Sequence, residues 1–204
     1  MPTLRDTLLK DARWYGRFLD LIRADRAQSR LVADHIRPRP GDSVLDVGCG
    51  DARIRPLLGD VDYVGVDLND NYLDAASELI DDHTRLLHAD VASLPGLGLG
   101  PFDLAMAVGL HHHLSDDEVR SLIADVAGVV APGGRYITLD PLFAPDSRTT
   151  ARVLAALDRG RHVRDQAGYV RLFDGSPFDL EVVRVRHDLL AIPYTHLAIE
   201  ARRR

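Results

Sequence analysis

The sequence predicts an α/β protein. Its sheet is doubly wound, with seven strands, mostly parallel, helices on both faces and a reversed C-terminal β-hairpin. Three observations predict this. Short apolar runs alternate with helical patterns between Ser43 and Leu139, as in successive β–α–β units around a parallel sheet. Several runs, Phe102–Val108 among them, are continuously apolar, the mark of strands covered on both faces. Beyond Asp179 the pattern becomes alternating, in Leu180–Val185 and Tyr194–Ala201 around a turn at Leu189–Pro193, which reads as a terminal antiparallel pair.

The elements follow in order. Trp14, Phe18, Leu21 and Ile22, then Leu31, Val32, His35 and Ile36, recur at helical spacing before Pro38 and Pro40. Residues 1–40 are therefore expected to form a helical segment, packed on the domain or serving as its lid. Strands are predicted at Ser43–Val47, Val61–Val66, Arg85–Ala89, Phe102–Val108 and Tyr136–Leu139. Helices are predicted at Asp51–Leu58, Asn69–Asp81 and Asp116–Val130. The last ends at Ala131-Pro132-Gly133-Gly134, where proline and two glycines break the pattern. The chain then reads as one domain: the helical lid, a core at 41–140, a substrate-side insertion at 141–179 and the terminal hairpin at 180–204.

Composition narrows the function classes. Of the 204 residues, 46% are hydrophobic and 27% charged, an ordinary globular balance. A net charge of −6 argues against a general nucleic-acid binder. The single cysteine, Cys49, excludes an intrachain disulfide and a cysteine-based metal cluster. No apolar run is long enough to span a membrane, and the charged start does not read as a secretory leader. A cytoplasmic location is expected, with no membrane partner and no metal.

The chemistry-bearing residues gather where strands end. In a doubly wound sheet, ligands bind beyond the carboxyl ends of the strands. Gly48-Cys49-Gly50 follows the first strand, and glycines there let the backbone approach a ligand closely. The dinucleotide fingerprint fails, because Arg53 stands where its third glycine belongs, and a dehydrogenase is disfavoured. Asp67 ends the second strand, where its carboxylate can accept both hydroxyls of a ribose. Asp90 ends the third and can accept from an exocyclic amine. Asp46 lies inside the first strand. Three acids beside a Gly-x-Gly turn suit a nucleoside without phosphates, since a pyrophosphate would be repelled.

V-L-D-V-G-C-G, V-G-V-D-L-N, A-D-V, F-D-L-A-M-A-V-G-L-H-H-H-L-S-D-D-E and A-P-G-G-R-Y occur in this order over roughly residues 41 to 140. The series resembles the motifs of class I S-adenosylmethionine-dependent methyltransferases of the small-molecule type. The resemblance implies a Rossmann-like domain with S-adenosylmethionine as cofactor and S-adenosylhomocysteine as product. It places Gly48, Cys49, Gly50, Leu68 and Val91 at the cofactor, with Asp67 at its ribose and Asp90 at its adenine. It also places Gly109, after the fourth strand, at the cofactor, and Asp46 near the cofactor's amino group.

His111, His112 and His113 follow the fourth strand, where the methyl group would be presented. Imidazole titrates near neutrality and can serve as a general base. A structural role, with a histidine satisfied by backbone contacts, competes with this reading; if one is a base, His112 is favoured, then His111. Consecutive residues do not readily face one metal ion. In the insertion, Arg161, His162 and Arg164 read either as a solvated helix end or as a clamp on an anionic substrate, with Tyr169 beside them. The expected activity is O- or N-methylation of a small molecule, with an anionic acceptor and a homodimer left open. Cyclisation or rearrangement of the cofactor, a non-catalytic cofactor-binding module and, lower, RNA methylation are the alternatives.

Overall fold

The computed structural model describes residues 24–143, 162–189 and 195–204. The expected lid residues Trp14, Tyr15 and Arg17, together with Arg161 and Tyr194, lie outside them. Helix α1 (Ala24–Leu31) runs into a π-helical turn at Val32–Ile36. The strands are β1 (Ser43–Val47), β2 (Asp62–Asp67), β3 (Thr84–His88), β4 (Phe102–Val108), β5 (Val130–Pro141), β6 (Phe178–Arg186) and β7 (His196–Arg203). They form one sheet in the order β3-β2-β1-β4-β5-β7-β6. Strand β7 is antiparallel to both β5 and β6, so it alone runs against the others. The predicted α/β fold with a terminal hairpin is the observed one.

The apolar strands are buried on both faces, as their continuity implies. Leu45, Val47, Ala105 and Ala107 meet Val119, Leu122, Ile123 and Val126 of helix α3 (Asp116–Val129). Val44, Leu104 and Met106 face the opposite way, toward Leu31 and Ile36. Side chains alternate along a strand, so Asp46 shares the face of Val44, the face that α1 covers. Helix α3 starts where the sequence says it should. Ser115 and Glu118 form a reciprocal capping box, and Asp116, Asp117 and Glu118 complement the positive end of the helix.

Three boundaries differ from expectation. Asp51–Leu58 is not an α-helix: Ala52 sits at φ +50°, and only a 3₁₀ turn at Arg55–Leu57, opened by Pro56, follows. The helix expected to Asp81 is split into α2 (Asp70–Ala75), capped by the Asn69 side chain, and a 3₁₀ turn at Ser77–Leu79. The Ala131–Gly134 breaker lies inside β5 as a bulge, because pairing jumps from Phe102↔Val130 to Leu104↔Arg135. A side chain at Gly134 would strike Val130 Cγ1 at 2.7 Å and the Ala131 carbonyl at 2.9 Å.

A buried polar network ties α1's end to the hairpin. Arg186 donates to His35 Nε2 at 2.9 Å. Arginine has no acceptor to offer, so His35 carries its proton on Nδ1 and donates it to Glu200 Oε1 at 2.8 Å. Arg37 pairs with the other Glu200 oxygen, and Asp34 with Arg186 at 2.8 Å.

Candidate active site

Strands β1 and β4 are neighbours, and the sheet is built outward from them in both directions. The crevice beyond their carboxyl ends is the switch point of the fold, and the site residues converge there. The turn after β1 is drawn against β2: the Gly48 and Cys49 amides both donate to the Val66 carbonyl, at 2.8 and 3.1 Å. Gly48 has φ +72°, and a Cβ on it would lie 2.9 Å from Leu110 Cδ1. Gly50 has φ +56° and faces open space.

Asp67 joins this turn to the next loop. Its Oδ2 accepts the Gly50 amide and its Oδ1 the Asn69 amide, both at 2.8 Å. Leu68 beside it is 63% exposed, an apolar side chain with nothing covering it. Asp90 is exposed and accepts the Ala92 amide at 3.0 Å, capping the 3₁₀ turn that Val91 begins. Asp46 is buried and accepts a hydrogen bond from Tyr63 Oη at 2.8 Å. Burial pushes its carboxyl up to about 7; the Tyr63 bond opposes the rise and the Asp67 charge adds to it. Burial likewise holds the Cys49 thiol protonated, so Cys49 is a packing residue here: its Sγ would lie 2.8 Å from a Cβ on Gly65.

The three histidines form a 3₁₀ turn, His111–His113, just beyond Gly109. His112 is buried. Its Nδ1 lies 3.0 Å from Asp140 Oδ1, and its backbone amide donates to the same oxygen at 3.2 Å. A Cβ on Gly109 would come 3.7 Å from His112 Cε1, so the ring edge lies against the bare backbone after β4. His111 is turned elsewhere. Its Nε2 shares a 2.8 Å hydrogen bond with Tyr136 Oη, and burial above all keeps its imidazole neutral below the usual histidine range. Burial pushes the Asp140 carboxyl up, but the His112 hydrogen bond and the two imidazoles outweigh it, leaving Asp140 readily ionised. Asp140 Oδ2 accepts no hydrogen bond among the described residues; His111 Nδ1 is 3.8 Å away.

Of the insertion residues, read either as a solvated helix end or as an anion clamp, His162, Arg164 and Tyr169 are among the described residues. The Arg164 side chain is 9% exposed and donates to Asp116, to the carbonyls of His111 and Leu114, and to that of His162. Its donors face protein acceptors, not a cavity. Tyr169 is buried and donates to the Pro141 carbonyl at 2.9 Å. His162 is exposed, and its amide donates to the His112 carbonyl at 3.0 Å. His187 Nδ1 and Thr195 Oγ1 lie 3.2 Å apart. Sequence reasoning missed Asp140, Tyr63 and Tyr136. Asp140 carried a signal: it is an acid next to the end of β5, although the strand was expected to stop at Leu139. Among the described residues no cluster of His, Cys, Asp and Glu could hold a metal ion, and no helix is long and apolar enough to cross a membrane.

Residues 44–134 match the family described as methyltransferase domain. The chain is 28% identical over 117 residues to an O-methyltransferase of Pyrenophora dematioidea, covering 53% of this chain and 43% of that one. It is 31% identical over 132 residues to the 27-O-demethylrifamycin SV methyltransferase of Amycolatopsis mediterranei, covering 59% and 47%. The chain thus spans about half the length of the curated relatives it matches. Among solved structures, geranyl diphosphate C-methyltransferase from Streptomyces coelicolor, in complex with Mg2+, geranyl diphosphate and S-adenosyl-L-homocysteine, superposes with a TM-score of 0.70. It is 16% identical, over 89% of this chain and 81% of that one, a likeness of fold.

Proposed function

We propose that the chain, whose residues 44–134 match the methyltransferase domain family, is a class I methyltransferase that transfers a methyl group from S-adenosylmethionine to an oxygen or nitrogen of a small molecule. The residues present fit that cofactor. Gly50 leaves open space at the β1 turn. Asp67 retains unused lone pairs toward a ribose beside its two backbone bonds. Leu68 and Val91 offer apolar contact to an adenine, with Asp90 accepting from its amine. Asp46, buried and close to its titration point, suits the cofactor's ammonium. When bound, the cofactor supplies an electrophilic methyl group on a sulfonium.

The observation that carries the reading is the His112–Asp140 pair beside Gly109. Ionised Asp140 holds the proton on His112 Nδ1, which leaves Nε2 as the basic nitrogen. His112 takes the proton from the acceptor as its oxygen or nitrogen attacks, and Asp140 stabilises the imidazolium that results. The turn and the crevice orient the acceptor, which supplies much of the rate. His111 is held by Tyr136 and is second choice for the base. An anionic acceptor would draw on His162 and Arg161, since Arg164 is engaged elsewhere.

Calorimetric titration with S-adenosylmethionine and S-adenosylhomocysteine, then mass analysis of the cofactor after incubation in a metabolite extract, tests the proposal. Binding with conversion to S-adenosylhomocysteine is expected. Release of methylthioadenosine would replace methyl transfer by cyclisation or rearrangement. Binding without turnover would mark a cofactor-binding module, and no binding would overturn the reading.

A further inference from the structure

Arg164 is bonded at once to both halves of the His112–Asp140 pair's scaffold. Its backbone lies along the continuation of β5: Leu142 bridges to Arg164 and the Phe143 amide donates to the Arg164 carbonyl at 3.1 Å. Asp140 is on that same strand, two residues before Leu142. Its side chain crosses to the other half. Nη1 donates to the His111 carbonyl at 2.9 Å and Nη2 to the Leu114 carbonyl at 2.8 Å, bracketing the turn that carries His112. Nε donates to Asp116 at 2.8 Å, and Nη1 also donates to the His162 carbonyl at 2.9 Å. The guanidinium lies 5.5 Å over the Tyr169 ring, and Tyr169 is itself anchored to the Pro141 carbonyl.

We propose that Arg164 is a positioning residue that sets the distance between His112 and Asp140 by clamping the histidine turn to the end of β5. The inference rests on the reading of His112 as base. Its chemistry requires arginine. A planar fork with five donors can serve three carbonyls and a carboxylate in fixed directions, whereas a lysine ammonium is a single point with three donors. His162 joins the same clamp, its amide donating to the His112 carbonyl at 3.0 Å.

The test needs no acceptor and no cofactor. Protein labelled with ¹⁵N in its histidine rings is compared as wild type, Arg164→Ala and Arg164→Lys, with His112 assigned by its loss in His112→Gln. Wild type is expected to show the Nδ1–H tautomer. In Arg164→Ala the His112 tautomer becomes mixed and its Nδ1 proton exchanges about tenfold faster, the scale of one lost hydrogen bond. The backbone amides of Val119–Val129 keep their protection, and added guanidinium ion restores the wild-type signal. Arg164→Lys, which keeps the charge without the fork, shifts in the same direction and carries the test if Arg164→Ala does not fold. An unchanged His112 tautomer and exchange rate in a folded variant overturns the proposal, as does protection lost uniformly across the protein. Absence of methyl transfer would leave this result standing and would strike only the reading it rests on.

Discussion

His112 makes two bonds to one oxygen of Asp140: its ring Nδ1 lies at 3.0 Å and its backbone amide at 3.2 Å. The pairing spans two strands, since His112 follows β4 and Asp140 is on β5. It fixes both the rotamer and the tautomer of the imidazole, the two properties a general base needs before its basicity matters.

His112→Ala should lower kcat by about 10²–10⁴-fold, the usual contribution of a positioned base. Asp140→Asn should approach the same loss, because an amide can donate to Nδ1 and so move the ring proton to Nε2. In both variants calorimetry should show S-adenosylhomocysteine affinity within about twofold of wild type, since neither residue is assigned to the cofactor. Undiminished turnover in either variant removes the pair from catalysis.

Asp67→Ala should weaken S-adenosylmethionine binding by about 1–3 kcal/mol, the scale of a lost charged acceptor. The effect has two parts, because Asp67 also holds the Gly50 and Asn69 amides in place. Titration calorimetry measures it. Wild-type affinity would remove Asp67 from the cofactor site.

Asp46 makes the protein's stability depend on pH in an unusual direction. Its carboxyl titrates at 3.8 in a free chain and at about 7 in the fold. Between those values the folded state binds more protons, so stability falls as pH rises through the window, and the penalty is complete above 7. Its full size is about 4 kcal/mol as an order of magnitude. Asp46→Asn, which can still accept from Tyr63, should therefore be more stable than wild type in urea at pH 8 and gain little at pH 4. It should also bind the cofactor more weakly. An equal stability difference at both pH values would contradict the assignment.

Burial and charge also govern the hairpin end of the same face of the sheet. Glu200 accepts from His35 at 2.8 Å and pairs with Arg37, all within reach of Arg186. Glu200→Ala leaves these partners facing an apolar gap and should cost about 3–5 kcal/mol in chemical denaturation. A loss below about 1 kcal/mol, as for a surface pair, would show that water replaces the carboxylate.

The central strands were legible because burial on both faces leaves continuous apolar runs, and α3 because its cap and its periodicity agree. The short helices were not. Ala52 adopts a left-handed conformation that glycine usually takes, and no local signal in D-A-R announces it. Gly48, Gly50, Asp67 and Asp90 could be placed at strand ends from spacing alone. Arg164 and Tyr169 could not be judged, since an exposed clamp and a buried anchor have the same composition.

By itself the sequence determined the sheet, the crevice at its switch point and the acids around it, because strand periodicity and glycine turns are local properties written in neighbouring residues. The tertiary structure decided the rest: that Tyr63 bonds Asp46, that Asp140 rather than any neighbour holds His112, and that Arg164 turns inward. Each of these joins residues distant in the chain, and only the packing of the sheet, with β2 beside β1 and β4 beside β5, brings their polar atoms within hydrogen-bonding distance.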